Sequence, residues 1–84
     1  MKIIFLSQGW EDYIYWQNTD KSVLKRINAL IKEIDRTPFE GSGKPEPLKH
    51  SLAGWWSRRL NLEHRLVYKV ENESVFILQC RYHY

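Results

Sequence analysis

A single cysteine, Cys80, excludes an internal disulfide. Its place in an apolar stretch suits a reduced, buried thiol, so a cytoplasmic location is expected rather than a disulfide-stapled secreted scaffold. No apolar run approaches the roughly 20 residues needed to span a bilayer, and the first residues lack a signal-peptide pattern, so no membrane partner is expected. Neither sign of charge dominates: the net charge of +3 is only mildly basic and does not by itself single out nucleic acid. The histidines, the acids and Cys80 show no usual metal-ligand spacing, so no metal and no other cofactor is expected. Prolines are scarce and confined: all three lie between Thr37 and His50, with half of the glycines.

What is abundant is aromatic. A chain of 84 residues forms one domain, residues 1–84, with a core that is marginal unless aromatics enlarge it, and four Trp and five Tyr do so. The positive charge is also unevenly spread. Lys44, Lys49, Arg58, Arg59 and Arg65 face only Glu46 and Glu63 in their stretch, with His50 and His64 close by. Interleaved with Trp55, Trp56 and Tyr68, these cations resemble an RNA-facing surface.

Periodicity predicts an α+β fold in the order β-α-α-β-β-β, with two helices packed on one face of a small, mainly antiparallel sheet. Lys2 to Leu6 reads as a buried strand and Ser7 as an N-cap. A short helix follows from Trp10 to Gln17, with Glu11 and Asp12 in its first turn. Thr19 or Asp20 restarts the chain, and Val23, Leu24, Ile27, Leu30, Ile31 and Ile34 trace the strongest helical stripe, with Lys21, Lys25, Arg26, Lys32 and Arg36 on the wet side. Thr37 to His50 is a long ordered loop, since proline excludes helix and central strand there. Loops of this length inside compact domains tend to be functional. Prolines on both sides of Glu46 limit where its carboxylate points, which fits either a functional acid or a solvated one in a stiff linker.

Trp55 to Leu60 and His64 to Val70 read as strands joined at Asn61 to Glu63, which sets Arg59 directly across from Arg65. Like charges so placed repel, and an anion between them would relieve the repulsion, making the pair a candidate phosphate clamp. A final strand runs from Val75 to Tyr84. A three-residue loop at Glu71 to Glu73 would let Leu66, Tyr68 and Val70 share a buried face with Phe76, Leu78 and Cys80. Arg59, Arg65, Arg81 and His83 would then share the opposite face, over Val67, Val75 and Ile77.

These stretches carry a resemblance. GKPEPLKH at Gly43 to His50, WSRR at Trp56 to Arg59, EHRLVY at Glu63 to Tyr68 and the terminal CRYHY, with DYIYW and RTPFEG, are similar to the YoeB-like toxins of the RelE superfamily (ParE-like). Gln8-Gly9 and Ser42, where relatives often carry a basic residue, are its mild departures. The resemblance implies a fold like microbial ribonucleases and a ribosome-dependent mRNA endonuclease of a type II toxin–antitoxin module, cutting mRNA in the decoding site. It implies Glu46 as the general base, Arg65 as the stabiliser of phosphate charge supported by Arg59 and Lys49, and His83 as the general acid. Glu63 and Tyr84 match positions that shape the family's active site. As partners it implies an antitoxin similar to YefM, the ribosome and mRNA; relatives also form homodimers, and the sequence does not choose between monomer and homodimer. Two other readings stay open: a non-catalytic basic RNA-binding module, and an antitoxin-binding module whose terminal strand mainly pairs with a partner.

Overall fold

The computed structural model describes residues 1–82. Two helices, α1 (Ser7–Thr19) and α2 (Lys21–Arg36), follow strand β1 (Lys2–Phe5) and precede β2 (Glu46–Pro47), a 3-10 turn at His50–Leu52, β3 (Trp56–Arg59), β4 (Arg65–Glu71) and β5 (Ser74–Gln79). The sheet order is β1-β5-β4-β3-β2, with β1 parallel to β5 and every other pair antiparallel. The expected order holds, with β2 added as a short strand inside the long loop. An edge is where a strand containing Pro47 belongs, because its missing amide interrupts no inner ladder.

The apolar stripe of α2 packs as its spacing dictates: Val23, Ile27, Leu30, Ile31 and Ile34 are buried against Leu66, Tyr68, Val75 and Ile77. Asp20 starts this helix, its carboxylate accepting from the amides of Ser22 and Val23 at 3.0 and 3.3 Å. The start of α1 differs from expectation. It begins three residues before Trp10, Ser7 lies inside it, and Leu6 holds the cap position without a side-chain bond. Gly9 permits this, since a Cβ there would stand 2.5 Å from the Ile77 carbonyl oxygen, so only glycine lets α1 lie this close on β5. β1 is an edge strand with Lys2 and Ile3 exposed, not the buried strand its apolar run suggests.

The β3–β4 connection is as expected: Leu60 donates to the His64 carbonyl at 3.0 Å and Arg59 opposes Arg65. The β4–β5 hairpin is not. Its loop is two residues, Asn72 and Glu73, at φ 51° and 56°, between the paired Glu71 and Ser74. A two-residue turn with both residues left-handed matches the twist of the flanking strands, and Asn tolerates that conformation. Val75 and Ile77 therefore face the helices, rather than Phe76 and Leu78. A bulge then restores the other alternation, because Tyr68 pairs with Ile77 but Val67 pairs with Gln79, leaving Leu78 extra. Cys80 consequently reaches the core as predicted.

The proline-containing loop is ordered from below by Arg58. This fully buried side chain donates to Glu33 Oε1 at 2.9 Å and to the carbonyls of Thr37, Glu40 and Ser42 at 2.7, 2.9 and 3.2 Å. Its Nε donates to the Tyr68 hydroxyl, which donates onward to the Pro38 carbonyl at 2.6 Å. Where the loop leaves this hub, the Gly43 carbonyl accepts from the Arg59 amide at 2.7 Å, and β2 begins two residues after Lys44. One arginine thus sets the path of the segment that carries Glu46.

Candidate active site

Away from the helices, strand register builds a row: Glu46 on β2 opposes Ser57 on β3, Ser57 opposes Val67 on β4, and Val67 opposes Gln79 on β5. Two residues along, Arg59 opposes Arg65. Arg65 reaches back across β3, bringing its Nη1 to 3.7 Å from Glu46 Oε1. Ser57 and Val67 are fully buried although they face away from the helices, and they form the floor of this cluster. The Arg65 side chain is 17% exposed but that of Glu46 is 48% exposed, so the pair contributes no more than about 1 kcal/mol and is readily exchanged for another anion. Drawing Arg65 towards Glu46 also relieves its opposition to Arg59.

Arg59 is exposed, and its carbonyl accepts from Arg26 Nη2 on α2 at 3.3 Å. Arg26, Arg59 and Arg65 line one cavity of about 530 Å³, with the fully exposed Leu62 at its mouth. Three guanidinium groups around one opening make an electropositive seat for phosphate. Glu46 also lines a second cavity, of about 450 Å³, shared with Leu48, Lys49, His50 and Leu52.

The structure therefore brings together Glu46, Arg59 and Arg65, with Lys49 on the adjoining wall. It does not bring Glu63 or Arg81 to them. Both line a separate cavity of about 340 Å³ with Tyr15, Trp16 and His64, beside α1. The shared face expected for Arg81 fails because β5 ends at Gln79; its guanidinium carbon lies 3.5 Å from the centre of the Tyr15 ring. Of the expected floor only Val67 is present, since Val75 and Ile77 are in the core. Arg58 and Tyr68, which sequence placed on the RNA-facing surface, are buried. His83 and Tyr84 lie outside the described residues.

Sequence reasoning missed the residues that fasten the end of β5. Asp12, taken for a first-turn acid, is buried in the second turn, where its Oδ2 accepts from the Cys80 amide at 3.0 Å and its Oδ1 from Gln8 at 2.8 Å. Trp16 Nε1 donates to the Cys80 carbonyl at 2.8 Å. His64 Nδ1 accepts from the Tyr82 amide at 2.7 Å, and its ring meets Trp16 edge-on. Burial, with the nearby Asp12 charge, pushes the Cys80 thiol up to about 12, so it is unreactive at neutral pH. Nothing in the sequence spacing flags the bonds of Asp12 and Trp16 to Cys80, which join α1 to the residue just after β5 across more than 60 positions.

Residues 5–84 match the YoeB-like toxins of bacterial type II toxin–antitoxin systems. The chain belongs to that family. Toxin YoeB of Escherichia coli K12 is 62% identical to it over the full length of both chains. The YoeB/ParE toxin structure from Agrobacterium tumefaciens is 49% identical, superposes with a TM-score of 0.97 and is covered completely in both chains. A Staphylococcus aureus YoeB-YefM complex is 50% identical to it with a TM-score of 0.93, covering 100% of this chain and 98% of that one. The S. aureus protein has also been solved as a YoeB dimer. Two helices on a five-stranded mixed sheet are thus the RelE/YoeB toxin fold, and the protein is the toxin component of a type II module. Among the described residues, no helix of this YoeB-family chain is long and apolar enough to cross a membrane.

Proposed function

We propose that this toxin is an endoribonuclease that cuts mRNA in the ribosomal decoding site and so inhibits translation in the cytoplasm. The observation that carries the reading is the approach of Glu46 to Arg65 across β3, beside Arg59 and a cavity with three guanidinium groups. An RNA 2′-hydroxyl is already tethered next to its phosphorus, so the enzyme has to align it in line with the leaving oxygen, move two protons and stabilise the charge on the phosphate. Glu46 takes the 2′-hydroxyl proton as oxygen attacks phosphorus. Arg65, released from Glu46 by the incoming phosphate, holds the non-bridging oxygens with support from Arg59 and Lys49. His83 protonates the departing 5′-oxygen, with Tyr84 beside it, leaving a 2′,3′-cyclic phosphate and a free 5′-hydroxyl. Glu63 and Arg81 act at the margin, through the segment around Tyr82.

So shallow a site offers little with which to force single-stranded RNA into that geometry, which is why a codon already held on the ribosome is the substrate. The exposed Lys25 and Lys32 of α2, with Arg26, supply sequence-independent phosphate contacts to ribosomal RNA. An antitoxin similar to YefM inhibits by covering the open face, and the dimer solved for the S. aureus relative supports a homodimer of this chain. The test is to map cut ends on one mRNA, free and on programmed ribosomes, with wild-type protein and His83→Ala. Cutting at the decoding-site codon, only on ribosomes and lowered about 10²- to 10⁴-fold in the mutant, is expected. Equal cutting of free RNA removes the ribosome dependence, and no cutting in either form removes the enzyme reading.

A further inference from the structure

Ser57 lies in the middle of the row described above, yet its hydroxyl does nothing in the fold. The residue is fully buried and, among the described residues, its Oγ has no hydrogen-bond partner. A buried polar group without a partner is uncommon and costs stability, so it calls for a reason. Simple packing does not supply one: alanine would fill nearly the same space without the desolvation cost, and a serine is a poor strand residue among Trp56, Val67 and Tyr68.

Register supplies the reason. Directly opposed residues of an antiparallel pair carry their Cβ atoms about 4.5–5.5 Å apart on one face, and Ser57 is opposed to Glu46. A glutamate so placed can set its carboxylate on the neighbouring hydroxyl by rotating its own side chain. At rest that carboxylate leans instead towards Arg65, at 3.7 Å. We infer that Ser57 is a positioning residue for Glu46: when a substrate phosphate engages Arg65, the freed carboxylate settles on the Ser57 hydroxyl, which fixes the oxygen that accepts the 2′-proton. The unpartnered hydroxyl is the empty half of a two-position switch for one carboxylate. This rests on the role proposed for Glu46. Among the described residues, the other charged or titratable groups facing or flanking that carboxylate are Arg65 on β4, Arg59 on β3, and Lys44, Lys49 and His50 in its own segment.

The test measures single-turnover cleavage of ribosome-bound mRNA against pH, with the thermal midpoint, for wild type, Ser57→Ala, Glu46→Gln and the double variant. Ser57→Ala should be at least as stable as wild type, because it removes an unsatisfied buried hydroxyl. Its cleavage should nonetheless fall roughly 10- to 100-fold, the worth of a hydrogen bond to a charged group. The acid limb of its pH profile should move to higher pH, since a donor to a carboxylate favours the charged form. In the Glu46→Gln background, Ser57→Ala should cost nothing further. Wild-type cleavage by Ser57→Ala, an additive loss in the double variant, or a loss that tracks a lowered thermal midpoint would each overturn the inference while leaving Glu46 in place. Undiminished cleavage by Glu46→Gln would overturn the assignment of the base, and the inference with it.

Discussion

Arg58 and Arg59 are neighbours in the chain and opposites in every physical respect. One points towards the helices, is fully buried and donates to Glu33, Tyr68 and three loop carbonyls; the other is exposed, and its side chain looks across the sheet at Arg65. Strand alternation alone separates them. An arginine surrounded by fixed acceptors is a structural fastener, whereas the exposed Arg59 guanidinium is placed to meet something that arrives. Residue type therefore says little about role here, and the inventory of acceptors says a great deal.

The largest test of this contrast is Arg58→Ala. It strands Glu33 and three carbonyls around a void, and chemical denaturation should show a loss of about 3–5 kcal/mol. Arg58→Lys should recover little of it, because one ammonium cannot reproduce a planar fork that meets four oxygens of the loop and α2. A variant that kept wild-type stability and lost only activity would erase the distinction between the two faces. Next comes Arg65→Ala: cleavage of ribosome-bound mRNA should drop by about 10²- to 10³-fold, as on removing a donor to a developing oxyanion. Its unfolding free energy should stay within about 1 kcal/mol of wild type. Arg59→Ala should be milder, weakening ribosome binding and lowering the salt slope of that binding by about one.

The smallest effect is a pH dependence on the buried side. The Ser42 amide, then the Ser42 hydroxyl and Arg58, hold the Glu33 carboxyl below its ordinary value of 4.5. Its contribution to stability is thus fully present above that ordinary value and is lost as the pH falls through the lowered one. Glu33→Gln should flatten the acid limb of the stability profile below about pH 4.5, as followed by thermal midpoint. An unchanged acid limb would show that the loop hub leans on Arg58 and the carbonyls alone.

Much of the fold could be read from pattern. The stripe of α2 and the Arg59–Arg65 opposition follow from alternation and a three-residue connection, both local properties. Three things could not be read that way. The side of β3 on which Arg58 falls follows from alternation, but three of its five partners are loop carbonyls that no pattern reveals. The close seat of α1 depends on Gly9 meeting the Ile77 carbonyl, which in sequence looks like a helix weakened by glycine. The β4–β5 hairpin failed by one residue, because apolar side chains line both sides of β5 and so cannot report which alternation is in force. For the site, Arg59 and Arg65 were visible as a repelling pair. Glu46 was only one of several acids until β2 laid it beside β3, and Ser57 was invisible because a hydroxyl is conspicuous only when it is buried with nothing to bond.

The extra residue at Leu78 works as a frameshift written into a strand. Were pairing to continue unbroken from Tyr68 and Ile77, Val67 would meet Leu78, Gln79 would be driven into the core beside Leu66, and Cys80 would surface next to Arg65. Inserting one unpaired position changes the parity of everything downstream without altering a residue upstream. The first half of β5 is thereby free to be read in the frame that suits the hydrophobic core, and the second half in the frame that delivers the chain to α1 at Cys80. Deleting that single leucine would remove the bulge and still leave Gln79 opposite Val67, whereas keeping it in an unbroken ladder would exchange inside for outside from Leu78 onward.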